Sequence, residues 1–134
     1  MVYETPEAAA LGGAAQSSDT RVVASVRSGD DAAVLLDAPG WPNPDLVVCH
    51  RDGDGWREGS STSGRTVWLQ SDGGEVDRGT MASWTEAEPG ATAAVISFAD
   101  RELIRPVDNG FVVWMVDGVT SEEAKASARL EWVH

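Results

Sequence analysis

Cys49 and His50 come closest to a catalytic pair in this chain, because a thiolate beside an imidazole can act as a nucleophile. They follow the apolar run Leu46-Val47-Val48, which predicts a β-strand. Consecutive side chains on a strand point to opposite faces, so the two cannot act on each other. Cys49 is therefore predicted to be a buried, inert thiol. His50 would need a carboxylate from another strand, and the sequence does not identify one.

Metal and phosphate sites lack the residues they need. A structural zinc site takes four Cys or His ligands, and the chain has one Cys and two His. The acidic turn 52–54 resembles a calcium loop only at its start, because Trp56 and Arg57 occupy positions that would have to supply oxygen ligands. The glycines of 53–59 miss the spacing of a dinucleotide-binding loop, and those of 59–64 miss that of a nucleophile elbow. We expect no metal and no cofactor.

Six tryptophans carry the remaining chemical signal. Trp84, Trp114 and Trp132 lie in apolar strands and are predicted to be core. The other three differ: one lies in a proline-rich loop, one directly follows a tight turn, and one faces away from its apolar neighbours. Trp and Arg are enriched in binding hot spots. We therefore predict a partner- or ligand-binding surface formed by Trp41, Trp56, Arg57, Arg65 and Trp68. The alternatives are a second small core beneath the proline loop and, for Arg65, a nest of backbone amides that binds an anion.

The charge balance restricts the partners. Asp and Glu number 22 and Lys and Arg 10, which gives a net charge of −12. Such a surface repels nucleic acid backbones and anionic membranes. One cysteine permits no internal disulfide, and the first residues have neither the basic nor the apolar part of a signal peptide. No apolar run approaches the ~20 residues of a membrane span. These features predict a soluble cytoplasmic protein.

The hydrophobic pattern predicts a mostly β fold. Thr5-Pro6-Glu7 has the sequence of a helix start and begins a short N-terminal helix. About nine short strands follow, separated by turn signals, which indicates antiparallel strands in a sandwich or a partly open barrel. They include a hairpin over 22–36, an internal strand at 46–49, a strand at 56–58 followed by a loop over 60–64, a four-stranded meander between 81 and 116 that turns at Asn109-Gly110, and a closing strand at 128–133.

These strands form one β-rich domain over 1–134, and residues 71–79 are the candidate division between two β subunits. The predicted function is a non-catalytic cytoplasmic module that binds another protein or regulates one; an enzyme is not expected. The alternative is a small-molecule-binding protein, or a cofactor-free cyclase or isomerase, with an apolar cavity for a small apolar ligand. A closed aromatic cavity would favour the alternative, and a filled core with an exposed Trp and Arg surface would favour protein binding.

Overall fold

The structure is a computed structural model that describes residues 2–13, 19–70 and 78–134. Two helices and ten strands lie within these ranges. The helices are α1 (Pro6–Gly13) and α2 (Ser121–Ala124). The strands are β1 (Arg21–Ser28), β2 (Asp31–Asp37), β3 (Asp45–Asp52), β4 (Gly55–Thr62), β5 (Thr66–Gln70), β6 (Arg78–Glu86), β7 (Ala93–Phe98), β8 (Arg101–Pro106), β9 (Phe111–Thr120) and β10 (Arg129–Val133). The mostly β fold class is confirmed.

Helix α1 begins where the sequence predicts. The backbone N–H of Ala8 donates to Thr5 Oγ1 at 3.1 Å, which satisfies one of the free donors of the first turn. The helix then continues through Gly12, where the ring of Tyr3 lies so close that no Cβ would fit. Pro6, Ala9 and Ala10 of the helix are buried, and the two alanines pack against a sheet.

That sheet contains β1–β4 in sequence order, all antiparallel, and is called the helix sheet here. The predicted hairpin and the internal position of β3 are confirmed. The predicted loop over 60–64 is wrong for residues 60–62, because β4 continues to Thr62 and pairs with β3; residues 63 and 64 lie between β4 and β5. The small polar residues of this stretch give no apolar alternation. Their main chains nevertheless pair with β3, because β4 is an edge strand whose side chains can remain partly exposed.

The predicted four-stranded meander is also wrong. β6 pairs with β5 and β9 in a middle sheet, whereas β7 and β8 form a hairpin that joins β10 in an outer sheet. The reason lies in β6 and β9, whose central residues are buried on both faces. Such strands are stable only in a layer that is covered on both sides, so the β7–β8 hairpin lies over them instead of extending their sheet.

The four layers are therefore α1, the helix sheet, the middle sheet and the outer sheet. Three hydrophobic clusters fill the spaces between them. Val48 and Trp84 lie between the helix sheet and the middle sheet, Trp56 lies beneath α1, and Trp114 and Ile96 lie between the middle and outer sheets. Among the described residues the backbone pairing forms three separate sheets and no closed barrel.

The predicted turn between β8 and β9 is confirmed by its backbone angles. Asn109 and Gly110 have φ values of 51° and 84°, as the predicted turn requires, and Asn109 Nδ2 donates to the carbonyl oxygen of Val23 at 2.8 Å.

Residues 71–77 of the predicted division lie outside the described residues, and Arg78 begins β6. The division into two subunits stays a prediction. Neither described helix is long and apolar enough to cross a membrane.

Candidate functional site

Trp56, predicted to lie on a binding surface, is a core residue. Its side chain is only 2% exposed. The main chain of Trp56 exchanges two hydrogen bonds with that of Tyr3, at 2.7 and 2.8 Å, which draws the N-terminal segment across the sheet. The guanidinium groups of Arg27 and Arg51 cover the ring, at 5.3 and 4.6 Å from its centroid. The prediction that this ring is exposed is wrong, because the sequence gives no sign that the N-terminal segment packs here.

Trp41 and Arg57 both belong to the part of the chain that forms the helix sheet: Trp41 lies in the loop before β3, and Arg57 lies on β4. Trp41 is partly buried and packs against the cluster that contains Trp56. The predicted alternative, a second core beneath the proline loop, is therefore the arrangement observed. Arg57 is exposed, and its guanidinium pairs with Asp52 Oδ2 at 2.6 Å across the β3–β4 turn. An exposed pair of this kind contributes about 0–1 kcal/mol.

Trp68 and Arg65 lie near the other sheets. Trp68 does face away from Val67 and Leu69, as predicted, but the opposite face is a second core covered by the outer sheet. Its indole N–H donates to the carbonyl oxygen of Val119 at 2.9 Å. Arg65 is exposed, with its guanidinium 4.6 Å from the centroid of the Trp84 ring. Trp41 and Trp56 thus belong to one hydrophobic cluster and Trp68 to another, while Arg57 and Arg65 are exposed. A binding role for the five predicted residues stays a prediction.

The structure identifies the carboxylate that His50 needs. Asp31, the first residue of β2, lies opposite His50 on β3, and its Oδ1 is 2.7 Å from His50 Nδ1. Cys49 faces away from this pair and donates its S–H to the carbonyl oxygen of Pro6 at 3.5 Å. Burial, with smaller contributions from the charges of Glu58 and Glu7, raises the pKa of the Cys49 thiol to about 12. The thiol is therefore neutral near pH 7 and does not form a nucleophilic pair with His50.

The outer sheet has one face that no other layer covers. Residues paired across β7, β8 and β10 alternate between the two faces, and those that point inward pack against the middle sheet. The outer face carries Ala93, Val95, Ser97, Glu102, Ile104, Pro106, Arg129, Glu131 and Val133. Each of these nine side chains is partly or fully exposed. The outer face is therefore the uncovered side of the four-layer stack in the described part of the chain.

Apolar residues occupy the centre of the outer face. Ile104 is 69% exposed and lies opposite Val95, while Val133 is 42% exposed and shares the next row with Pro106. Glu131 continues the row of Ile104 and Val95. The sequence does contain a signal for this surface: Leu103-Ile104 places an apolar residue on each face of a strand at a sheet edge. The sequence of this strand by itself does not show which of the two sheet faces is covered by another layer.

Several clefts lined by described residues are open to solvent. Four of them have volumes of about 280 to 450 Å³ and lie at the edges and surfaces of the sheets. The described residues contain no group of three Cys, His, Asp or Glu side chains that could hold a metal ion.

Comparisons of this chain with protein-family models, with curated proteins and with solved structures find no match.

Proposed function

We propose that this chain is a non-catalytic protein-binding module of the cytoplasm and that its outer face is the binding surface. The exposure of Ile104, 69%, is the observation that carries the proposal. Scattered exposed apolar residues are normal, but here Val133 is exposed on the same face, and Val95 and Ala93 of β7 lie between the strands that carry Ile104 and Val133. An apolar group on an uncovered sheet face is typical of an interaction surface.

The charges indicate the chemistry of the partner. Glu102 and Glu131 flank the apolar centre on two strands, and Arg129 is the basic residue of this face. The whole chain carries a net charge of −12. Two copies would therefore repel each other, whereas a different protein with apolar side chains flanked by Lys or Arg would be attracted. We propose a basic partner of that kind. The alternative, a small-molecule-binding protein or a cofactor-free cyclase or isomerase with an apolar cavity, has less support because the four clefts described above are open and have mixed polar and apolar lining.

Site-specific photo-crosslinking tests this function in the cells that produce the protein. Benzoylphenylalanine would replace Ile104 in one variant and Arg57, an exposed residue of the helix sheet, in the control. We expect one discrete adduct with another protein from position 104 and none from position 57. Mass spectrometry of that adduct should place the crosslink in an apolar segment flanked by Lys or Arg.

Two results would contradict the proposal. Equal adducts from both positions would mean that position 104 has no special access to a partner. The second result is an adduct formed only with another copy of the chain, together with a dimer in sedimentation. It would show that the outer face binds a second copy of the chain and not a basic partner.

A further inference from the structure

A second surface feature is chemically unlike the outer face. It is a cleft of about 290 Å³ between the middle sheet and residues 124–128, the end of α2 and its connection to β10. Its lining includes Arg65, Thr66, Ser83, Lys125, Ala128 and Leu130. This lining includes two cations and no carboxylate, although the chain has 22 acidic residues. Hereafter it is called the cationic cleft.

Both cations are available to a ligand. The Arg65 guanidinium lies against the Trp84 ring, and the Trp84 indole N–H is fixed by donating to the carbonyl oxygen of Gly64 at 2.9 Å. Lys125, the single lysine of the chain, follows α2. Within the described ranges, neither cation has a carboxylate oxygen within 4.0 Å. The nearby carboxylate of Glu123 accepts from the Thr120 backbone N–H at 2.9 Å and does not line the cleft.

A short chain of hydroxyl groups orders one wall of the cleft. Ser83, which is 8% exposed, donates from Oγ to the carbonyl oxygen of Arg65 at 2.9 Å. Its Oγ lies 3.1 Å from Thr66 Oγ1, so Thr66 can donate to it in turn. These bonds hold the backbone of Arg65 against β6. The rest of the lining includes the apolar side chains of Trp114 and Leu130.

We infer that the cationic cleft binds a small organic anion, a carboxylate attached to an aromatic or apolar body. Arg65 and Lys125 would hold the carboxylate by charge-assisted hydrogen bonds, and the partly exposed side chains of Ala128 and Leu130 would contact the apolar body. The volume of about 290 Å³ is just below the roughly 300–1,000 Å³ range of ligand pockets, which favours a ligand of one or two rings. This is a binding site separate from the proposed protein-binding surface.

The net charge of the chain restricts the ligand to small anions. A polyanion would extend beyond the cleft and meet the acidic surface, whereas a single carboxylate would contact only the two cations. Charges farther away than the Debye length of about 8–10 Å are largely screened at physiological salt. The local pair of cations can therefore attract a small anion in a chain whose total charge is −12.

Titration with 2-naphthoate and its uncharged analogue 2-naphthamide tests this site. Tryptophan fluorescence would follow binding to the wild type and to the variants Arg65→Gln and Lys125→Gln. Arg21→Gln is the matched control, because it removes one positive charge from an exposed residue of β1 that does not line the cleft. We expect saturable binding of naphthoate, at least tenfold weaker binding of naphthamide, and at least tenfold losses of naphthoate affinity for Arg65→Gln and Lys125→Gln.

Arg21→Gln should change naphthoate affinity by less than twofold, and so should Ile104→Ser, which removes an apolar side chain from the separate outer face. Equal affinities for naphthoate and naphthamide would overturn the inference, because the charge would then play no part. Equal losses of naphthoate affinity for Arg21→Gln and Arg65→Gln would show that only the net charge of the chain matters. Absence of saturable naphthoate binding up to millimolar concentrations would also refute the inference. A thermal melt of each variant verifies that it is folded.

Discussion

Trp56→Ala should lower the free energy of unfolding by about 3–5 kcal/mol, the usual cost of truncating a buried aromatic ring. The ring is 2% exposed and lies between α1 and the helix sheet, so its removal leaves a cavity that the surrounding strands cannot close. The contacts from Arg27 and Arg51 over the ring would be lost as well. Denaturant-induced unfolding of the wild type and the variant measures the difference.

Two variants serve as controls for Trp56. Trp41→Ala removes a partly buried ring from the edge of the same cluster and should have a smaller effect, about 1–2 kcal/mol. Arg57→Ala, in the next residue along β4, removes an exposed side chain and should change stability by about 0.5 kcal/mol or less. If Trp56→Ala were no more destabilising than Arg57→Ala, Trp56 would be a surface residue and the binding role first predicted for it would regain support.

The stability of the protein should fall steeply above about pH 9 because of Cys49. Burial raises the pKa of its thiol from an ordinary value of 9.0 to about 12. Between these values the unfolded chain loses the thiol proton while the folded chain keeps it, so deprotonation favours the unfolded state. The stabilisation is fully present below pH 9 and is lost at about 1.4 kcal/mol per pH unit as the pH rises towards 12. Denaturant melts from pH 8 to 11 measure this loss.

Cys49→Ala separates this effect from the titration of other groups. The variant keeps every other titratable residue, so the difference in unfolding free energy between wild type and variant should be constant up to about pH 9. Above that pH the difference should change by about 1.4 kcal/mol per pH unit to the disadvantage of the wild type. A difference that stays constant up to pH 11 would show that the folded thiol titrates normally and that Cys49 is accessible.

The local elements were largely predictable, whereas the way they stack was not. The helix start at Thr5 and the turn at Asn109-Gly110 follow from capping and positive φ, which are properties of a few adjacent residues. The position of the β7–β8 hairpin follows from a different requirement, the burial of both faces of β6 and β9. The meander was predicted because strands that are consecutive in the sequence commonly pair with each other.

The candidate site shows the same limit. Alternation along β5 correctly placed Trp68 opposite Val67 and Leu69, but whether that opposite face meets solvent or another sheet depends on residues far along the chain. The prediction that Trp56 is exposed failed because the contact of its strand with Tyr3 joins segments more than fifty residues apart in the sequence. The residues next to Trp56 carry no signal for such a contact. The exposure of an aromatic residue thus depends on whether another layer covers its sheet face. Sequence alternation predicts only the face on which the residue lies.

The dissociation constant of the crosslinked partner, measured for Ile104→Ser and Arg57→Ser beside the wild type, tests the proposed binding surface most directly. Ile104→Ser removes the most exposed apolar side chain of the outer face, and Arg57→Ser changes an exposed residue of the helix sheet. We expect Ile104→Ser to weaken binding at least tenfold, about 1.4 kcal/mol, while Arg57→Ser stays within twofold. Wild-type affinity in a folded Ile104→Ser variant would contradict the assignment of the outer face as the binding surface.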